Sequence, residues 1–280
     1  MSAKRNFSND RTFLIDTTRC TGCRSCQVAC KQWNQMKAEE TTFFQGEGYQ
    51  NPAHLSENTL TAVKFIDGWR YGRNEFAFYK EMCMHCNEPA CVSVCPVSAF
   101  IKTPEGPVIY DAKRCIGCRF CMIACPFGVP KYQWSKGLPL VVKCSGCFSR
   151  VREGLIPACA KACPTAITYG SRQEMINEAN RRITAHPGKY MSRIYGLEEA
   201  GGTSVLYLSA IPFNELGFKK VTQRPLPSLT WAALRFVPAA FITMGGSLAF
   251  ISWLTNRKER LRREKEMEDD RKASGKGDRQ

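Results

Sequence analysis

Histidine is scarce in this chain: three in 280 residues, at His54, His85 and His186. None lies in the apolar run near the C-terminus, so a haem in a membrane would need ligands from another subunit. Acidic residues are also few, 25 against 40 lysines and arginines, for a formal charge of +15. Phosphate loops, nucleophile motifs and open metal coordination patterns are absent, so an enzyme acting alone is not expected. Helix-turn-helix, zinc-finger and stacking-platform patterns are absent too, which argues against nucleic acid as the reason for the basic surplus. No cleavable export signal is read in Met1-Ser2-Ala3-Lys4-Arg5, so a disulfide framework is not expected.

Cysteine, by contrast, is abundant and ordered. Sixteen cysteines form four groups of four, and none lies outside them. Group one is Cys20, Cys23, Cys26 and Cys30; group two is Cys83, Cys86, Cys91 and Cys95. Group three is Cys115, Cys118, Cys121 and Cys125; group four is Cys144, Cys147, Cys159 and Cys163. Groups one and three have C-x₂-C-x₂-C-x₃-C spacing, and groups two and four stretch only the gap before the third cysteine. Three thiolates at this spacing wrap one iron–sulfur cluster, and the fourth points to the other cluster of a pair. Cys95, Cys125 and Cys163 are each followed by proline, which fixes the backbone as it leaves the cluster; Cys30 is followed by Lys31 instead. Gly22, Gly117 and Gly146 suit tight loops between ligands. Zinc is the competing reading, but it needs only paired C-x₂-C units and leaves the x₃-Cys endings unexplained. The chain therefore reads as an electron carrier with four [4Fe-4S] clusters.

Clusters also change the charge balance. An oxidised cubane with four thiolates carries about −2, so four would lower the formal +15 to about +7. Lys31, Lys113, Arg114, Arg119, Lys143 and Lys161 all stand near cysteines. Positive charge there stabilises a reduced cluster and raises its potential. His85, between Cys83 and Cys86, either donates to sulfur or merely covers a cluster.

The fold class expected is α+β, with two pseudo-symmetric two-cluster ferredoxin-like modules and one C-terminal transmembrane helix. Residues 1–12 read as a tail and 13–200 as a double ferredoxin-like domain with an insert at 31–80. Residues 201–228 read as a linker toward the membrane, 229–255 as the transmembrane helix and 256–280 as a charged tail. Short strands are expected at 13–17, 166–169 and 205–208, and a hairpin at 99–110 around Thr103-Pro104-Glu105-Gly106. Ser171 and Glu174 match a capping box ahead of a helix over 171–190, whose Met175, Ile176, Ala179 and Ile183 share one face.

From Trp231 to Leu254 run 24 residues, and none from Phe236 onward is charged. That length spans a bilayer as a helix. Trp231 and Trp253 stand at its ends as interfacial anchors, Arg235 can snorkel, and Gly245 with Ala249 offers a small-x₃-small packing face. Arg257, Lys258, Arg260, Arg262, Arg263 and Lys265 follow the span, against Lys219, Lys220 and Arg224 before it. The lysine and arginine bias puts the tail in the cytoplasm and the cysteine domain on the outer, periplasmic face of the inner membrane. Folded export beside a partner that carries the signal reconciles this with the N-terminus.

These residues resemble the iron–sulfur beta subunit of membrane-bound respiratory formate dehydrogenase, from about Phe13 to Leu254. Four cysteine groups alone specify the wider family of four-cluster electron-transfer subunits of molybdopterin oxidoreductases, which includes nitrate, polysulfide and dimethyl sulfoxide reductases. The closer resemblance rests on Cys26-Gln27-Val28-Ala29-Cys30 with Trp33-Asn34, Asn51-Pro52-Ala53 with Leu55-Ser56, Cys83-Met84-His85-Cys86, and Gly201-Gly202-Thr203 with Val205 and Tyr207. Nitrate reductase relatives replace one cysteine of the third group by tryptophan; Cys118 stands there in this chain.

The resemblance implies ligand sharing between groups one and four and between groups two and three. Its four sets are Cys20, Cys23, Cys26, Cys163; Cys30, Cys144, Cys147, Cys159; Cys83, Cys86, Cys91, Cys125; and Cys95, Cys115, Cys118, Cys121. It also implies three partners: a molybdenum- or tungsten-pterin catalytic alpha subunit that oxidises formate, a cytochrome b gamma subunit that reduces quinone, and membrane lipid. The same wire could serve a hydrogenase or a reductase of a sulfur or nitrogen compound.

Overall fold

The run Phe13-Leu14-Ile15 is apolar on both of its faces, so it needs cover on both. In the computed structural model it forms the centre of strand β1 (Arg11–Asp16), with exposures of 2%, 0% and 1% for those residues. β1 lies between β8 (Ile167–Ser171), antiparallel to it, and β9 (Val205–Leu208), parallel to it. Alternate side chains of a strand point to opposite faces, and two cores result. Phe13, Ile15, Val205 and Tyr207 face a core that contains Cys26, Cys30, Cys83, Cys144 and Cys159. Leu14, Leu206 and Leu208 face Met175 and Ala179 of helix α6 (Arg172–Ala185). α6 starts on the expected capping box of Ser171 and Glu174.

The structure describes residues 10–41, 49–66, 76–137, 139–228 and 235–274. Between β1 and β8 lie α1 (Ser25–Trp33), the hairpin β2 (Ala62–Ile66) with β3 (Ala77–Glu81), α2 (Ala90–Ser93), the hairpin β4 (Phe100–Lys102) with β5 (Val108–Tyr110), α3 (Phe120–Ala124), the pair β6 (Lys131–Tyr132) and β7 (Val141–Val142), α4 (Phe148–Arg152) and α5 (Ala158–Lys161). The fold is thus mixed helix and strand. A third small core of Phe100, Val108, Val141 and Cys121 supports the second half.

The expected strands, the 99–110 hairpin and the capped helix are present, with boundaries moved by a few residues. The β2–β3 hairpin inside the 31–80 insert has no counterpart in the sequence reading. Residues 201–228, expected as a linker, instead contribute to the body. β9 is fully buried, as is Leu216, and the main-chain N–H groups of Ala200 and Gly201 donate to Thr222 and Gln223.

The chain divides into two units, at residues 1–228 and 229–280. The second contains helix α7 (Val237–Ser274). Its apolar window has a mean hydropathy of 1.6, and no part of that window is buried within the structure. Pro238 sits in its first turn, where the missing N–H breaks no bond. α7 continues into the basic segment expected as a separate tail, with Arg262 paired to Glu266 at 2.9 Å. Trp231, the expected first interfacial anchor, lies outside the described residues, as do residues 1–9 of the N-terminal tail.

Candidate metal centres

Each cysteine group opens on the same backbone turn. The third residue of the loop is left-handed in all four: Gly22 (φ +67°), His85 (+47°), Gly117 (+72°) and Gly146 (+65°). Glycine adopts this conformation freely, whereas histidine holds it only under constraint. The turn brings main-chain N–H groups back to sulfur. Gly117 N–H donates to Cys115 Sγ at 3.4 Å and Gly146 N–H to Cys144 Sγ at 3.3 Å. Groups one and three then repeat a second feature: Arg24 (φ 61°, ψ 6°) launches α1 and Arg119 (φ 62°, ψ 7°) launches α3. Before these loops, Asp16 and Asp111 each cap a 3-10 turn. Groups two and four share another device. Pro89 starts α2 and Pro157 starts α5, and each short helix carries the third cysteine of its group. Past the Cys-Pro corners, Ala99 N–H donates to Cys95 Sγ at 3.2 Å and Ala166 N–H to Cys163 Sγ at 3.3 Å.

Packing decides which groups meet. α1 packs on α5, and α2 packs on α3. Electrostatic neighbours among the thiols follow. Burial raises the Cys20 pKa, and Cys163 and Cys23 add to it. Burial drives Cys26 up to about 12, with Cys159, Cys163 and Cys20 adding. Cys30 rises to about 11 by burial, with Cys159 and Cys147 adding. Burial also puts Cys144 well above its ordinary value, and Cys30, Cys83 and Cys159 add to it. In the other half, Cys86 lies well above its ordinary value through burial, then Cys83, Cys125 and Cys91. Cys91 reaches about 12 through burial, with Cys83, Cys125 and Cys121 adding. Cys121 reaches about 11 through burial, then Cys115, Cys118 and Cys95. Cys23 and Cys118, the second cysteines of groups one and three, are exposed.

Thiols collected in this way hold their protons tightly, and a bound cationic centre displaces those protons and stabilises the thiolates. Two observations test the kind of centre. Among the described residues, no three histidine, cysteine, aspartate or glutamate side chains converge on a single-ion site. A zinc ion would need thiolates about 3.8 Å apart. Instead, Cys20, Cys23, Cys26 and Cys163 line one cavity together with Ile15, Val63 and Lys80. Four thiols around one cavity, with apolar neighbours, two nearby cations in Arg24 and Lys80, and a main-chain amide directed at Cys163 Sγ, fit an iron–sulfur cluster.

Lys80, which the sequence reading passed over, is the most buried cation near the thiols, at 2% exposure. Burial opposes its charge, but Cys159, Cys26, Cys144 and Cys30 outweigh that and raise its pKa. Its Nζ donates to Met82 Sδ at 2.9 Å, and its carbonyl accepts from the Tyr207 hydroxyl at 2.6 Å. The sequence carries one faint signal, a lysine in the apolar strand Ala77-Phe78-Tyr79-Lys80. Of the basic residues singled out by sequence, Lys143 is buried and donates to the carbonyls of Val108 and Cys144. Others turn away from the thiols: Lys31 pairs with Glu39 at 3.0 Å, Arg114 with Asp111 at 3.5 Å, and Arg119 stacks over Tyr132 and Trp134.

The short strings that suggested the family have local roles. Asn34 Nδ2 donates to the Cys30 carbonyl at 2.8 Å and approaches Cys30 Sγ at 3.6 Å. Trp33 lies under the Arg150 guanidinium at 4.7 Å. Gln27 accepts from Val63 N–H at 3.1 Å and donates to the Asn51 carbonyl at 3.2 Å, tying α1 to the insert. Asn87 N–H donates to the Gly202 carbonyl at 2.9 Å, and Cys86 bridges Thr203, so the second group is stitched to the strand that follows.

Comparison with known proteins places these features. Residues 19–101 match one 4Fe-4S dicluster domain, and residues 74–172 match another. The nitrate-inducible formate dehydrogenase iron–sulfur subunit of Escherichia coli K12 is 37% identical over 211 residues, 74% of this chain and 70% of that protein. The formate dehydrogenase iron–sulfur subunit of Haemophilus influenzae is 35% identical over 240 residues, 83% of this chain and 76% of that protein. Hydrogenase-2 operon protein HybA of Escherichia coli O157:H7 is 35% identical over 244 residues, 74% of this chain and 72% of that protein. With its repeated thiol loops and two dicluster matches, the chain is a [4Fe-4S] electron-transfer protein and belongs to the family of formate dehydrogenase iron–sulfur subunits and HybA.

Proposed function

We propose that this chain is the electron-transfer subunit of a membrane-bound formate:quinone oxidoreductase. It takes electrons from a molybdenum- or tungsten-pterin subunit that oxidises formate and delivers them to a cytochrome b that reduces quinone. Four [4Fe-4S] clusters, each a one-electron carrier when bound, are held by Cys20, Cys23, Cys26 and Cys163; by Cys30, Cys144, Cys147 and Cys159; by Cys83, Cys86, Cys91 and Cys125; and by Cys95, Cys115, Cys118 and Cys121. The observation that carries this reading is the packing of α1 on α5 and of α2 on α3, with Cys20, Cys23, Cys26 and Cys163 lining one cavity; most thiol neighbours also fall inside these sets. Three further neighbours, Cys26 with Cys159, Cys144 with Cys83 and Cys91 with Cys121, link one set to the next in single file. The two outer sets each contain an exposed cysteine, Cys23 and Cys118, whereas all four cysteines of the second set are buried. Electrons would enter and leave at the surface and cross an interior shielded from solvent.

In this reading residues 13–200 form two pseudo-symmetric modules, groups one with four and two with three, as the repeated turns support. α7 anchors the chain in the inner membrane by a single pass, its basic end in the cytoplasm and the cluster domain outside. Gly245, with open space around it, offers a face for a neighbouring helix. The likeness to hydrogenase-2 operon protein HybA supports a second setting for the same wire, a hydrogenase complex.

Formate-driven quinone reduction by the purified complex tests the substrate; hydrogen-driven reduction without formate activity would support the second setting. Cys118→Ser should abolish quinone reduction while leaving dye-coupled formate oxidation nearly intact; equal loss of both would point to misfolding. Protease added to inside-out vesicles should remove only the tail beyond α7's apolar part. Loss of the cysteine domain would reverse the topology.

A further inference from the structure

His85 is buried, at 1% exposure, between two ligand loops. Its Nδ1 accepts from Val108 N–H at 3.0 Å. A ring nitrogen that accepts carries no hydrogen, so the neutral ring holds its hydrogen on Nε2. Among the described residues, Nε2 is the one buried side-chain nitrogen without a hydrogen-bond partner. A buried donor left unpaired loses its hydration without compensation, so native structures rarely leave one. The direction of Nε2 is also known. A Cβ placed on Gly146 would lie 3.3 Å from it, so the ring reaches from the Cys83–Cys86 loop to the Cys144–Cys147 loop. Glycine at 146 leaves room for the ring, and His85 itself is held at φ +47°, where the other three loops have glycine. The main chain fastens that posture: the His85 carbonyl accepts from Lys102 Nζ at 3.0 Å and from Ser204 N–H at 3.2 Å.

We infer that His85 Nε2–H donates a hydrogen bond to a sulfur atom at the junction of the loops 83–86 and 144–147, making His85 the positioning and tuning residue where one two-cluster module hands electrons to the other. The inference rests on the cluster reading and adds to it a named donor, its tautomer and its place. A hydrogen bond to cluster sulfur stabilises the reduced state and raises the potential. The third-position glycines of the other loops offer no side-chain donor there.

The scarcity of histidine makes the test selective. His54 and His186 are both exposed, and His54 meets Lys64 at 3.3 Å. The full chain, grown with ¹⁵N-histidine and loaded anaerobically with iron and sulfide, is reduced and studied by pulsed electron paramagnetic resonance. A weak histidine nitrogen coupling to a reduced cluster is expected, and it should vanish in His85→Asn. Asparagine suits a positive φ and keeps an acceptor for Val108 N–H, but it is too short to replace the Nε2 arm. The potential of the coupled cluster should fall in His85→Asn and return toward the original value in His85→Gln, whose amide reaches further. An iron-loaded chain without any histidine coupling, or a coupling that survives in His85→Asn, overturns the inference. A chain that takes up no iron overturns the cluster reading itself, and the hydrogen bond with it.

Discussion

Lys80 shows how one side chain can serve two cluster sites. It lines the cavity of the first thiol set and feels the thiolates of Cys144, Cys159 and Cys30 in the second. A fixed charge about 8 Å from a cluster, at an effective dielectric of about 20, is worth about 2 kcal/mol, or ~90 mV for one electron. Lys80→Met keeps the volume and removes the charge. Its two nearest clusters should drop in midpoint potential by that order, as read by a redox titration of their resonance signals. Unchanged potentials would show that solvent or the other lysines already screen Lys80. Cysteine spacing made all sixteen proposed ligands legible, because three ligands from one loop must recur at a fixed rise along the chain. Lys80 was not legible in the same way. Its burial depends on the pairing of β2 with β3, and that hairpin arises from an insert without a repeat.

Elements divide the labour between holding clusters and holding the body together. Short helices such as α2 and α5 carry one cysteine each and follow a proline cap; they are too short to be stable alone. Their stability comes from packing on α3 and α1. α6 differs, since it is 14 residues long, capped by Ser171 and packed on the far face of the sheet, where no cysteine lies. Ser171→Ala should therefore destabilise the fold by about 1 kcal/mol in urea denaturation and leave every cluster potential unchanged. A shift in potential would show that the two faces of the sheet are coupled. Asp16 does connect them: Arg182 of α6 reaches its carboxylate at 3.1 Å, while Asp16 caps the turn leading to Cys20. The capping box and the 99–110 hairpin were readable because each is local. The order β8-β1-β9 was not, since the parallel pairing joins residues that are far apart in the chain. Segment 201–228 looked like a linker for the same reason: its prolines and glycines mark turns, and only tertiary contact shows that the turns pack.

At the scale of the whole molecule, two physical environments meet in one chain. One unit buries thiols and lysines together, and the other exposes an apolar helix along its length. The helix was plain in the sequence because a charge-free run of that length has few other uses. Orientation, partners and substrate are set by surfaces that meet other chains, and so they are not written in the cysteines. The central claim is simpler, that the sixteen cysteines hold four cubanes. It is tested most directly by iron and acid-labile sulfide analysis of the anaerobically purified full chain, with Mössbauer spectra to identify the cluster type. The account predicts about sixteen iron and sixteen sulfide per chain, all in [4Fe-4S] environments. Stoichiometric zinc, or an iron content near half that value in a folded chain, would contradict it.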